Sequence, residues 1–169
     1  MKLPEKYRTV IITLSDRAYR GEYPDQSGPR VRELTEMFFR SLNSDISVIN
    51  VLIPDDGEML KKELIKAAEV SDIIFTTGGT GIGPRDITVE TVRPLLTKEI
   101  PGIMEFIRVK YGTGNPGALL SCGVAGLINR CLIYTLPGSV KAVNEYMSEI
   151  TKTLGHTFLM LHGIDKHKG

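Results

Sequence analysis

Residues 7–14 read YRTVIITL, a β-branched and nearly continuous apolar run. A strand with one wet face alternates apolar and polar residues, whereas a run of this kind suits a strand covered on both faces of a parallel sheet. Residues 46–53 and the triplet Ile73-Ile74-Phe75 repeat that character. Between the first two runs, Val31, Leu34, Phe38 and Leu42 recur at helical spacing behind Ser27-Gly28-Pro29, with Pro29 suited to a first helical turn. Leu60, Leu64, Ala67 and Ala68 trace a second helical stripe. The order βαβαβ with short links predicts an α/β fold, a three-layer, mainly parallel sheet flanked by helices, with right-handed crossovers. Ligands on such sheets bind beyond the C-terminal ends of the strands.

Further along, Pro94 interrupts one helical stretch, Pro101 starts another, and residues 112–117 (GTGNPG) read as a loop. Residues 124–128 and 132–136 flank Asn129-Arg130 as a strand pair. Val143, Tyr146, Met147, Ile150, Leu154, Phe158 and Leu161 hold one face of a long last helix, and the Lys/His-rich tail after Gly163 is expected to fray. One domain over residues 1–169, with its core at about 7–162, is expected from a length of 169 and 41% hydrophobic residues.

With 21 basic and 20 acidic residues the net charge is +1, too small a field to hold duplex nucleic acid, so an anionic ligand must be held locally. No apolar run approaches the roughly 20 residues of a membrane span. Cys122 and Cys131 fit neither a metal-ligand spacing nor a disulfide framework, and the opening MKLPEKYRTV lacks a signal-peptide pattern. A cytoplasmic address is expected.

The chemistry concentrates in residues 76–86, TTGGTGIGPRD, which follow a buried strand with four glycines and no bulky side chain before Ile82. Backbone N–H groups of such a loop approach a ligand closely, and the hydroxyls of Thr77 and Thr80 add donors, so the loop suits a phosphate. A tight Gly-rich turn is the structural alternative. No Gly-Lys-Ser/Thr follows, and the first strand carries no G-x-G-x-x-G, which argues against Walker-type and dinucleotide-binding sites. Asp55, after the second strand, and Asp86, at the end of the glycine loop, are placed at the same sheet edge. Two carboxylates beside a phosphate cradle suit Mg²⁺ bound to a nucleoside triphosphate. Each also has a capping alternative: Asp55 or Asp56 for the helix from Gly57, and Asp86 near Thr88. Ser15-Asp16-Arg17 and Leu136-Pro137-Gly138-Ser139 reach the same edge, so four loops are expected to converge on one pocket.

LSDRA (14–18), DQSGP (25–29), IPDD (53–56), TTGGTG with PRD (76–81 and 84–86), Pro101-Gly102 and LPGS (136–139) together resemble the MogA family, in order across almost the whole chain. The resemblance implies a molybdopterin-binding fold, shared with a domain of gephyrin, and transfer of AMP from Mg-ATP to the terminal phosphate of molybdopterin with release of pyrophosphate. It also implies a homotrimer and a MoeA-like molybdenum insertase as partner. Asp55 and Asp86 match the family's acidic pair, which would carry catalysis and Mg²⁺. Gly78, Gly79, Thr80 and Gly81 match its pterin and nucleotide loop, with Thr77 beside them. Ser15, Asp16, Ser121, Pro137, Gly138 and Ser139 match further pocket positions, and Arg85 is assigned to charge neutralisation. Three positions depart from the family pattern. Cys122 stands after Leu120-Ser121 where Arg is common, Ser139-Val140 replaces Asn/Gln-Pro, and Thr88-Val89-Glu90 replaces Thr-Pro-Glu. The rival reading is a non-catalytic, MoaB-like pterin- or nucleotide-binding module. His156, His162, His167 and Cys122 are given no chemical role, and Tyr146, Met147, Phe158 and Met160 are assigned to packing.

Overall fold

The computed structural model describes residue 4 and residues 6–164. Its strands are β1 (Lys6–Leu14), β2 (Asp45–Ile53), β3 (Ile73–Thr77), β4 (Lys98–Glu99), β5 (Ala125–Ile128) and β6 (Cys131–Leu136). The helices are α1 (Asp16–Tyr19), α2 (Ser27–Ser41), α3 (Gly57–Val70), α4 (Thr88–Val92), α5 (Pro101–Gly112) and α6 (Val140–Leu161). Short 3₁₀ turns span Arg93–Leu95 and Pro116–Leu120.

The six strands lie in the order β2-β1-β3-β6-β5-β4. The first four are parallel, and β5 and β4 add an antiparallel edge. The continuous apolar runs have the predicted cause, since both faces of the sheet are covered. Tyr7, Ile11, Phe75 and Tyr134 meet Val31 and Phe39 of α2, Met104 and Ile107 of α5, and Val143 and Ile150 of α6. On the other face Val10, Ile12, Ile74 and Ile133 meet Leu60 and Leu64 of α3 and Val89 and Val92 of α4. Ile11 and Ile12 are both fully buried, on opposite faces, and burial of each side chain contributes about 1.5–3 kcal/mol.

Three elements differ from the sequence expectation. The 15–17 loop begins the short helix α1, because Ser15 caps it by accepting from the Ala18 N–H at 3.2 Å. β4 was not expected, since both its residues are exposed and only its pairing with β5 defines it. Gly126 sits where an added Cβ would lie 2.4 Å from the Lys98 carbonyl oxygen, so this close pairing requires glycine. Within the expected 112–117 loop, Gly112 still belongs to α5 and Pro116 and Gly117 open the second 3₁₀ turn. The expected strand pair is present as a hairpin, with Asn129 in the left-handed region at φ 55°. Among the described residues no helix is long and apolar enough to cross a membrane. Residues 165–169 of the tail, including His167, lie outside the described residues.

Candidate functional site

Strands β1, β2, β3 and β6 end together, and the loops that leave them meet at that edge. The glycine loop is held there by backbone. Gly78 donates to the Leu136 carbonyl at 3.0 Å, with φ 102°. An added Cβ at Gly78 would stand 2.3 Å from the Leu14 carbonyl oxygen. Thr88, fully buried, laces the next turn, its Oγ1 donating to the Gly78 carbonyl at 2.8 Å and its N–H to the Gly79 carbonyl at 3.0 Å.

A cavity of about 470 Å³ opens against this loop, with Gly79, Thr80, Gly81, Asp86, Ser121 and Tyr146 on its wall, together with Pro137 and Gly138. A second, of about 490 Å³, is bounded by Ser15, Tyr23, Asp25 and Ser139. The expected single pocket is therefore two concavities that share Gly138. Gly138, which the two share, packs against Gly78.

Several predicted contacts are relocated. Thr77 is fully buried and donates to the Pro137 carbonyl at 2.9 Å, so its hydroxyl ties two loops and is not a ligand donor. Gly78 is not on the cavity wall; following β3, it lies against the Leu14 carbonyl at the end of β1 and donates to the Leu136 carbonyl at the end of β6. Arg85 is not on the cavity wall and forms an ion pair with Asp16. Ser15 and Ser139 each cap a helix, accepting from Ala18 and Ala142 at 3.2 Å, while bordering the second cavity.

The two aspartates resolve their capping alternatives. Asp56, not Asp55, caps α3, accepting from the Met59 N–H at 2.8 Å. Asp86 caps no helix and accepts from the Gly83 N–H at 2.8 Å within its own turn. Asp55 accepts from the Asp16 N–H at 3.2 Å, and its own N–H donates to the Asp16 carboxylate at 3.0 Å. Burial, and then the Asp86 charge, raise the Asp55 carboxyl above its ordinary value. Asp86 is on the wall of the first cavity, whereas Asp55 lines neither cavity. Among the described residues no group of three or more metal-ligating side chains is assembled.

Sequence reasoning missed Glu145 and Ala142 of α6 and the 115–120 turn, all of which reach the first cavity. Tyr146 was assigned to packing, and it does pack, but its hydroxyl also donates to Ser121 Oγ at 2.9 Å on the wall. Asp25 was noted only as part of a motif. It accepts from Thr13 Oγ1 at 2.7 Å and from the Gly28 N–H at 3.1 Å, fixing the start of α2 beside the second cavity. His156 and His162 border neither cavity.

Residues 10–156 match the family described as a "probable molybdopterin binding domain". Molybdenum cofactor biosynthesis protein B of Staphylococcus aureus is 35% identical over 173 residues, covering 98% of this chain and 96% of that protein. Gephyrin of Dictyostelium discoideum is 33% identical over 172 residues, covering 98% of this chain, which spans only 24% of gephyrin's length. The crystal structure of the molybdopterin biosynthesis enzyme MoaB from Thermus thermophilus superposes with a TM-score of 0.82 at 38% identity, over 93% of this chain and 97% of that one.

Proposed function

The chain belongs to the molybdopterin-binding family of molybdenum cofactor biosynthesis proteins, and from that premise we propose that it is a molybdopterin adenylyltransferase. The observation that carries the reading is Asp86 on the wall of the glycine-loop cavity, with its charge the second cause, after burial, that raises the Asp55 carboxyl. In the proposed reaction an oxygen of the pterin's terminal phosphate attacks the α-phosphorus of ATP. The new O–P bond forms as the bond to the β-phosphate oxygen breaks, and pyrophosphate departs.

Mg²⁺ held by Asp55 and Asp86 would withdraw negative charge from the triphosphate. The chain's own contribution is orientation. Gly79, Thr80 and Gly81 line the cavity, and the bonds of Gly78 to Leu136 and of Gly78 and Gly79 to Thr88 fix their loop before a ligand arrives. Preorganised donors stabilise developing charge without reorganising during the reaction. No side-chain nucleophile is required, and Cys122, whose Sγ lies 3.8 Å from the Leu120 carbonyl, takes no part.

We also propose the homotrimer that the family resemblance implies, for which the exposed apolar side chains Phe106, Val109, Leu119 and Leu120 are available as contact surface. We assign a MoeA-like molybdenum insertase as the acceptor of the product. One observation favours a second reading, a pterin-binding module without turnover: no Lys, Arg or His lines the cavity among the described residues. Incubation with molybdopterin, ATP and Mg²⁺, with chelator controls, separates the two. Metal-dependent release of pyrophosphate together with adenylylated molybdopterin supports the transferase, and pterin binding without either product supports the module.

A further inference from the structure

The cavity wall is short of positive charge for the ligand just proposed. Its titratable side chains among the described residues are Asp86, Glu145 and Tyr146, so an entering phosphate monoester meets two carboxylates. A phosphate is retained in such a place only if neutral donors are aimed at it and a cation stands behind them.

Both conditions meet at Ser121. Arg108 of α5 donates from Nη1 to the Gly123 carbonyl at 3.1 Å and to the Ser121 carbonyl at 3.4 Å. From the opposite side the Cys122 N–H donates to the Thr80 carbonyl at 2.8 Å. Three consecutive residues are thus clamped between α5 and the glycine loop. The Ser121 side chain is fixed as well, because Tyr146 donates its hydroxyl proton to Ser121 Oγ at 2.9 Å. A serine hydroxyl that accepts one bond still has its own proton to give. Ser121 and Tyr146 both line the cavity, so that proton is left for an acceptor inside it. Burial holds the Tyr146 hydroxyl above its usual range, against the opposing effects of the Ser121 bond and the Arg108 charge, and it remains a donor at neutral pH.

We infer that Arg108 and Tyr146 are positioning residues that hold Ser121 as a hydroxyl donor to the phosphate monoester of the pterin, so that the cavity separates phosphorylated from dephosphorylated pterin. The inference rests on the function proposed above. Arg108 touches no ligand in this account; it fixes the backbone of the donor and supplies positive charge from behind the wall.

The test is equilibrium binding of molybdopterin and of its dephosphorylated form to the full chain, for wild type, Ser121→Ala, Tyr146→Phe, Arg108→Met and Arg108→Lys. Ser121→Ala, Tyr146→Phe and Arg108→Met are each expected to weaken the phosphorylated ligand about tenfold and to leave the dephosphorylated one within about twofold. Arg108→Lys, which keeps the charge, should recover part of the loss. Adding Tyr146→Phe to Ser121→Ala should weaken binding no further, since both remove the same donor. Equal losses for the two ligands, or no loss, overturn the inference and leave the proposed function standing. Failure of the wild type to bind either pterin overturns both. Should Arg108→Met fail to fold, Tyr146→Phe, which keeps the ring in its packing site, decides the matter alone.

Discussion

Asp16 and Asp55 hold each other through their backbones. The Asp55 carboxylate accepts from the Asp16 N–H at 3.2 Å, and the Asp16 carboxylate accepts from the Asp55 N–H at 3.0 Å. The ends of β1 and β2, which are neighbours along their whole length, are thereby locked at the point where Asp55 is presented. Arg85, arriving from the glycine loop, pairs with the other Asp16 oxygen. Asp16 thus acts on the site by placing Asp55.

Substitution at Asp16 separates these two bonds. Asp16→Asn retains an acceptor for the Asp55 N–H and loses only the ion pair to the well-exposed Arg85, at a cost of less than about 1 kcal/mol. Asp16→Ala loses both, should cost about 1–2 kcal/mol, and should depress turnover more than Asp16→Asn does. Urea midpoints and product formation measured on both variants check this. Equal turnover in the two would contradict the positioning role.

The raised Asp55 carboxyl gives a pH dependence with a definite sign. Burial first, and the Asp86 charge second, make the folded chain hold this proton more tightly than the unfolded chain, whose value is near the ordinary 3.8. The contribution of Asp55 to stability is therefore most favourable below 3.8 and is lost as pH rises through the folded value. Carboxyl NMR should find the Asp55 midpoint above 3.8, lower in Asp86→Asn, and lower again when Mg²⁺ is added to the wild type. An unchanged midpoint in Asp86→Asn would show that the two carboxylates do not share a site.

Glu149 of α6 is buried and takes bonds from Lys110 at 2.6 Å and Lys152 at 2.8 Å. The Lys110 bond first, then the Lys152 bond, hold its carboxyl down to about 2, against the opposing effect of burial. A depressed carboxyl stabilises the fold above its unfolded value of 4.5, and that stabilisation is lost as pH falls from there through about 2. Glu149→Gln should cost about 1.5–3 kcal/mol at pH 7 and much less near pH 2. Denaturant titrations at the two pH values measure the difference.

Two glycines should respond to alanine in opposite directions. Gly78→Ala forces a side chain onto a φ of 102° with a backbone oxygen 2.3 Å away, and should cost at least about 2 kcal/mol. Gly155 lies within α6 with nothing within 4 Å of an added Cβ, so Gly155→Ala should add about 0.5–1 kcal/mol. Thermal unfolding of both variants tests how far the glycine loop depends on its contact with Leu14.

The parallel core was legible because residues such as Ile11 and Ile12 are β-branched and buried on opposite faces, which produces an unbroken apolar run. Asp55 and Asp86 were legible because each follows an apolar strand after only a short polar or glycine-rich stretch, which puts its charge at the edge where ligands of parallel sheets bind. β4 was not, since Lys98 and Glu99 are exposed and defined only by a partner strand. Thr77 was misplaced because its hydroxyl partner, Pro137, is 60 residues away. Tyr146 was read as core for a similar reason: its ring follows the helical stripe, while the serine that makes its hydroxyl useful lies 25 residues upstream. Local pattern identifies which side chains face inward, but pairing across loops decides which polar atoms remain available to a ligand.

The central claim is tested most directly by a single-turnover reaction of the wild type and Asp86→Ala with molybdopterin, ATP and Mg²⁺, with pterin binding measured in parallel. The account predicts adenylylated molybdopterin and pyrophosphate in equal amounts from the wild type, with at least about a hundredfold slower formation by Asp86→Ala and pterin binding retained by both. Tight pterin binding by the wild type with neither product formed would contradict it.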